Sequence, residues 1–200
     1  MEINSFDNFK KKANLADLIK SSSNAIDEIV NDMRDTVGII IDVRRNTGGS
    51  SEMALDIVSR FIDTRTHVYS LQEKFGNTRT PLKKVYVKPQ GNTQYIKPVV
   101  VLTSNTSFSA AETFTLAMKS RSNVTIIGEE TNGGFSAPVS SRVTGEIAFE
   151  ISNQIVLSAD GKWYEHQGIP VDMKVAFASK QDRQAKKDSG IDSAIKELLK

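Results

Sequence analysis

Ser109 stands where an apolar run gives way to a helical pattern, in the stretch Val101-Leu102-Thr103-Ser104-Asn105-Thr106-Ser107-Phe108-Ser109-Ala110-Ala111-Glu112. The first N–H groups of a helix have no intrahelical partner and carry partial positive charge. A serine hydroxyl placed there can attack a carbonyl carbon, while its own N–H and that of the next residue face the oxyanion that develops. The same spacing has a plainer reading, because Ser109-x-x-Glu112 also fits a capping box whose only task is to start a helix. A second stretch, Asp42-Val43-Arg44-Arg45-Asn46-Thr47-Gly48-Gly49, ends a β-branched run in two glycines. Glycine lets a backbone approach a ligand closely, and consecutive N–H groups in such a turn can bind an anion or an oxyanion. The plainer reading here is a strand-to-helix turn that needs positive φ.

Both stretches need rigid elements behind them. The run Val37-Gly38-Ile39-Ile40-Ile41-Asp42-Val43 is short, continuous and β-branched, as in a strand covered on both faces. Pro98-Val99-Val100-Val101-Leu102-Thr103 reads the same way. Apolar residues at helical spacing predict a helix over Leu15–Met33, with Asn14 or Asp7 as its cap, and another from Met53 to Ile62 capped by Ser50 or Ser51. A third helix is expected from Ser109 to Met118, and a strand from Val124 to Gly128. Residues 68–75 and 85–87 read as strands. Residues 139–143, 147–151 and 154–157 read as a meander, and Asp160-Gly161 is a hairpin signal. Strands alternate with helices through two thirds of the chain and then cluster. That order predicts an α/β domain with a largely parallel core sheet and an added small β element. Residues 1–178 are assigned to this core, and residues 179–200 to a basic linker and a terminal helix.

The chain has 200 residues and a formal net charge of +2, with basic and acidic residues interleaved, so no nucleic-acid footprint is present. With no cysteine, a thiol nucleophile, a cysteine-ligated metal and a disulfide framework are all excluded. No ligand cluster implies a metal or a cofactor. No apolar run reaches the roughly 18 residues needed to span a bilayer. Met1-Glu2-Ile3-Asn4 looks like the tail of a strand, so the chain is expected to be a piece of a longer protein. The compartment stays open, an exported parent being one option, and so does assembly into a homo-oligomer.

The segments say more together than singly. Residues 42–49 match the D-x-R-x-N-x-G-G motif of the C-terminal processing (tail-specific) peptidases. Residues 103–112 resemble the nucleophile segment of that family, and Ile127-Gly128-Glu129-Glu130-Thr131 resembles its V-G-E-x-T strand and turn. Gly168-Ile169-Pro170-Val171-Asp172 is a looser match to its closing signature. The resemblance implies a ClpP/crotonase-like ββα core, a polypeptide substrate and Ser109 as nucleophile. It also implies an oxyanion hole built from the N–H of Ala110 and that of Gly48 or Gly49. In the Ser-Lys branch a lysine follows the V-G-E-x-T turn, but Gly134 stands there in this sequence. The pattern is closer to the tricorn-core-like branch, whose peptidases use Ser and His with a supporting Glu. Glu165 matches that glutamate by position. The family's histidine lies upstream of the core, so an upstream segment of the parent is expected to supply it, and His67 and His166 are expected to be structural. Two rivals remain: a non-catalytic module that binds a hydrophobic ligand or peptide on the same fold, and an acyl-CoA enzyme of the crotonase type.

Overall fold

A computed structural model describes residues 1–7, 15–142 and 147–200. The chain begins with α1 (Leu15–Met33), β1 (Ile39–Asp42) and α2 (Ser51–Val58), continued by a short 3-10 turn. Strands β2 (Thr66–Phe75), β3 (Thr78–Arg79) and β4 (Lys83–Val87) follow, then β5 (Val99–Thr103), α3 (Ala110–Lys119) and β6 (Val124–Gly128). The last third holds β7 (Pro138–Arg142), β8 (Ala148–Ser152), β9 (Gln154–Ser158), β10 (Met173–Lys174), α4 (Lys180–Ala185) and α5 (Ser189–Leu198). Ser50 caps α2, its side chain accepting the Met53 N–H at 3.2 Å. Asn14, offered as a cap for α1, lies outside the described residues.

The buried β-branched runs become one parallel sheet in the order β1-β5-β6-β10. Ile41 pairs with Val101, and Val101 with Ile126. Successive side chains point to opposite faces of a strand, and here both faces are apolar. Ile39, Ile41, Val99, Val101 and Ile126 pack into the main core with Val30 of α1, Val58 of α2 and Phe114 of α3. Val100, Leu102 and Ile127 face the other way, against Ala194, Ile191 and Leu198 of α5. Two covered faces explain why these strands read as continuous rather than alternating. Residues 1–3 extend the sheet beside β1: the Met1 amino group donates to Ile40 O and the Ile3 N–H to Asp42 O, at 2.8 and 2.9 Å.

Residues 154–158 depart from the expected meander. Strand β9 leaves β8 after one residue and pairs antiparallel with β2, which also carries β4. Burial decides this, since Val156 fits the core at 3% exposure while β8 is exposed along its length. Among the described residues β7 and β8 pair only with each other. The basic stretch read as a linker contains the short helix α4, and α5 beyond it docks onto the parallel sheet through Ala194.

Candidate active site

The turn from β5 into α3 places Ser109 in an uncommon backbone conformation, φ 57° and ψ −116°. For a residue with a Cβ such a conformation costs on the order of 1–3 kcal/mol and persists only where the surroundings enforce it. A strained strand-to-helix turn that presents a serine hydroxyl is also the geometry of a nucleophile elbow. The enforcing group is Glu112, one turn into α3 and fully buried. Its Oε2 accepts the Ser109 N–H at 3.1 Å and the Gly134 N–H at 2.9 Å. Its Oε1 accepts the Gly133 N–H at 2.6 Å and the Thr131 hydroxyl at 2.7 Å. Burial raises the Glu112 pKa; these hydrogen bonds pull it down without cancelling that rise. The capping reading of Ser109-x-x-Glu112 is thus half of the matter. The glutamate does hold the Ser109 N–H, but it also ties the serine turn to residues 131–134, while the Glu112 N–H goes to the Ser109 carbonyl oxygen at 2.9 Å.

The glycine turn lies against this elbow, joined to it by hydroxyls. Ser107 Oγ donates to Val43 O at 2.8 Å, and Ser104 Oγ to Arg44 O at 2.6 Å. The Phe108 N–H donates to Asn46 O at 3.0 Å. Gly48 has φ 105°, and a Cβ built on it would sit 2.8 Å from Ser109 Cβ and 2.9 Å from Phe108 O. Glycine is therefore required at 48 by close approach as well as by φ. The two glycines differ in their N–H groups. Gly48 N–H donates to Asn46 Oδ1 at 2.8 Å. The N–H groups of Gly49 and Ala110 have no hydrogen-bond acceptor among the described residues.

The side chains of Asp42 and Arg44, the charged members of the motif, pair with each other and with Asp188. Arg44 is 5% exposed and lies between two carboxylates, Asp42 at 2.6 Å and Asp188 at 2.8 Å. Burial alone would lower the Arg44 pKa, but its bonds to Asp42 and Asp188 raise it above the ordinary value.

Ser109 opens into a cavity of about 400 Å³ whose walls include Tyr69, Leu71, Phe135, Pro138 and Val156. Burial, with Glu52 nearby, pushes the Tyr69 phenol up to about 12, so it is neutral near pH 7. Glu165 is 8% exposed and lines a second cavity of about 530 Å³, and Gln154 belongs to both walls. Glu165 Oε2 accepts the Phe135 and Ser136 N–H groups, each at 3.1 Å. Neither histidine lines the Ser109 cavity. His67 Nε2 pairs with Ser70 Oγ at 2.9 Å, and exposed His166 shares the Glu165 cavity with Trp163. At Gly134, where a lysine base would stand, a built Cβ falls 2.2 Å from Phe108 Cε2, so any side chain there must displace that ring.

The structure thus brings Ser109, Ala110, Gly48 and Gly49 together and sets Glu165 in the wall of a cavity that shares Gln154 with theirs. Sequence reasoning missed the reach of Glu112 into residues 131–134, for which its place three residues after Ser109 was a partial signal. It also missed Asn46 as the holder of Gly48, and Asp188, which no local pattern marks.

Residues 1–175 match the model of peptidase family S41. The chain belongs to peptidase family S41. A curated relative, the carboxy-terminal processing protease CtpA of Bacillus subtilis (strain 168), is 30% identical over 155 residues, covering 78% of this chain and 32% of the relative. A solved structure from Parabacteroides merdae is 30% identical with a TM-score of 0.85, over 100% of this chain and 60% of that one. Mature CPAF shares the fold at 15% identity, with a TM-score of 0.80 over 99% of this chain and 50% of that one. This S41 chain therefore spans about a third of the curated relative and three fifths of the Parabacteroides structure. Its α/β architecture, a parallel sheet with helices on both faces, is that of the S41 peptidases and agrees with the ClpP/crotonase-like core that the motifs implied.

Proposed function

We propose that this S41 chain is the catalytic core of a serine endopeptidase in which Ser109 is the nucleophile. The observation that carries the reading is the strained Ser109 turn beside two N–H groups, of Ala110 and Gly49, that have no acceptor among the described residues. Ser109 Oγ attacks the peptide carbonyl and passes its proton to a histidine from an upstream segment of the parent. The oxyanion forms against Ala110 N–H and Gly49 N–H. The protonated imidazole then gives its proton to the departing amine, and water releases the acyl group by the same route in reverse. Glu165 has the part of a supporting carboxylate that orients and stabilises the imidazolium. Two backbone N–H groups fix it for that part. The apolar walls of the Ser109 cavity suit an apolar substrate side chain beside the cleaved bond. The test uses the full-length parent, with hydrolysis of casein and peptides and labelling by a fluorophosphonate. Ser109→Ala is expected to abolish both, and turnover that survives it would overturn the nucleophile.

A further inference from the structure

We infer that Asp188 is a positioning residue for the oxyanion turn: through Arg44, the C-terminal helix of this chain locks the backbone that carries Gly49. The inference rests on the reading of Ser109 as nucleophile. Asp188 lies outside the stretch matched to the family, which stops at residue 175. It nevertheless meets the arginine of the family motif in a two-point contact. Arg44 Nη1 donates to Asp188 Oδ1 and Nη2 to Asp188 Oδ2, both at 2.8 Å. Asp42 takes Nε at 2.9 Å and also accepts from Nη2. Phe177 covers the guanidinium plane, with its ring centroid 4.6 Å from Cζ. The side chain is held from three sides in a buried place, and bidentate pairs of this kind fix orientation as well as charge.

The backbone of the same residue leads to the nucleophile. The Arg44 carbonyl accepts the Ser104 hydroxyl, and the neighbouring Val43 carbonyl accepts that of Ser107. Two residues on, Asn46 O takes the Phe108 N–H and Asn46 Oδ1 takes the Gly48 N–H. A shift of Arg44 therefore moves both walls of the oxyanion site together. Among the described residues Nη1 has Asp188 as its only acceptor, so without that carboxylate a buried guanidinium must find water or drag its backbone outward. Misplacing a catalytic group by about 1 Å costs about a hundredfold in rate.

Asp188 Oδ1 also caps α5, accepting the Ile191 N–H at 3.1 Å, so that one oxygen serves both the helix and Arg44 Nη1, while Oδ2 serves Nη2 alone. Asparagine caps a helix about as well as aspartate, but it cannot offer two anionic oxygens to Arg44. The experiment compares the full-length parent with its Asp188→Asn, Asp188→Glu, Leu198→Ala and Ser109→Ala variants. Leu198 packs α5 on the far face of the sheet and serves as a control for loosening alone. The readouts are kcat, KM, melting temperature and the rate of serine phosphonylation by a fluorophosphonate. Asp188→Asn is expected to lower kcat and the phosphonylation rate together by about ten- to a hundredfold, with KM nearly unchanged. Asp188→Glu should recover part of that loss. Leu198→Ala should lower the melting temperature and leave kcat in place. An unchanged kcat in Asp188→Asn overturns the inference, as does an equal kcat loss in Leu198→Ala. Activity that survives Ser109→Ala instead removes the nucleophile reading itself and, with it, the role given to Asp188.

Discussion

Replacing Glu112 by alanine tests whether the strained serine turn is held from within. The change strips four donors of their acceptor: the N–H groups of Ser109, Gly133 and Gly134, and the Thr131 hydroxyl. Thr131 Oγ1 already accepts the Ile169 N–H at 2.8 Å, so its proton has little freedom to turn elsewhere. Each buried donor left unpaired costs about 1–3 kcal/mol. Water can enter the space of the lost side chain and satisfy some of them, and the cost of burying a carboxylate disappears. With two of the four donors left dry, the expected net loss is about 3 kcal/mol. For a domain of this size that lowers the melting temperature by about 6–12 °C. Catalysis should suffer separately. The strain at Ser109, about 1–3 kcal/mol, is no longer opposed, and about 1.4 kcal/mol changes a rate tenfold, so kcat should fall about a hundredfold. Glu112→Gln should not rescue it, because either orientation of the amide turns an NH2 group toward two donors. The assay pairs calorimetry with phosphonylation rates, using Met118→Ala as a control of similar stability loss within the same helix. A rate equal to that of Met118→Ala would reduce Glu112 to an ordinary helix cap. The pH dependence is a second check. Burial raises the folded pKa of Glu112 above its ordinary 4.5. Between those two values the folded state keeps a proton that the unfolded state has released, so the stabilisation is full below 4.5 and declines as pH rises through the folded value. The stability gap between wild type and Glu112→Ala should therefore narrow as pH rises from that point.

Gly48→Ala forces a Cβ to 2.8 Å from Ser109 Cβ at φ 105°; a stability loss of about 1–3 kcal/mol is expected, with phosphonylation slowed by about a hundredfold. A rate near wild type would show that Gly48 does not press on the elbow. Its bond to Arg44 holds the Asp188 carboxyl below its ordinary value of 3.8. The stabilisation from Asp188 is thus full above that value and lost as pH falls through the depressed one. Acid unfolding should accordingly be steeper in wild type than in Asp188→Asn, and parallel curves would deny the pairing in solution.

The parts of the fold that were legible in sequence are those fixed by local pattern. The helix over Leu15–Met33 appears with those bounds because apolar residues recur at helical spacing on both sides of the polar stretch Lys20–Asn24. β1 and β5 were legible because both their faces are covered, which leaves an uninterrupted β-branched run. Pairing was not legible where it depends on burial far along the chain. β9 looks like a third member of a meander, yet it lies beside β2 because Val156 finds the core there. The candidate site divides in the same way. Ser109, Gly48 and Gly49 announce themselves through residue types that such turns require. The carboxylate that ties down the guanidinium of Arg44 is 144 residues away in sequence, and no spacing rule spans that distance.

The motif in residues 42–49 shows why a matched pattern and a chemical role are different things. Of its fixed positions, Asp42 and Arg44 form an ion cluster with Asp188 in which the guanidinium is buried and the carboxylates are partly exposed. Asn46 spends its amide oxygen on Gly48 and its amide nitrogen on Ile3 O. Only Gly49 retains a free N–H among the described residues, and only Gly48 needs to be small because of Ser109. One backbone N–H is thus presented by a frame of three polar side chains, and the frame takes up most of the motif. Such an arrangement is costly to vary in any single member, because each side chain satisfies buried partners that would otherwise stand unpaired. The same logic covers Glu112, whose one carboxylate joins the elbow to residues 131–134 and so closes the other side of the site. In the proposed peptidase, rigidity on both sides would let a strained serine face a substrate carbonyl without relaxing.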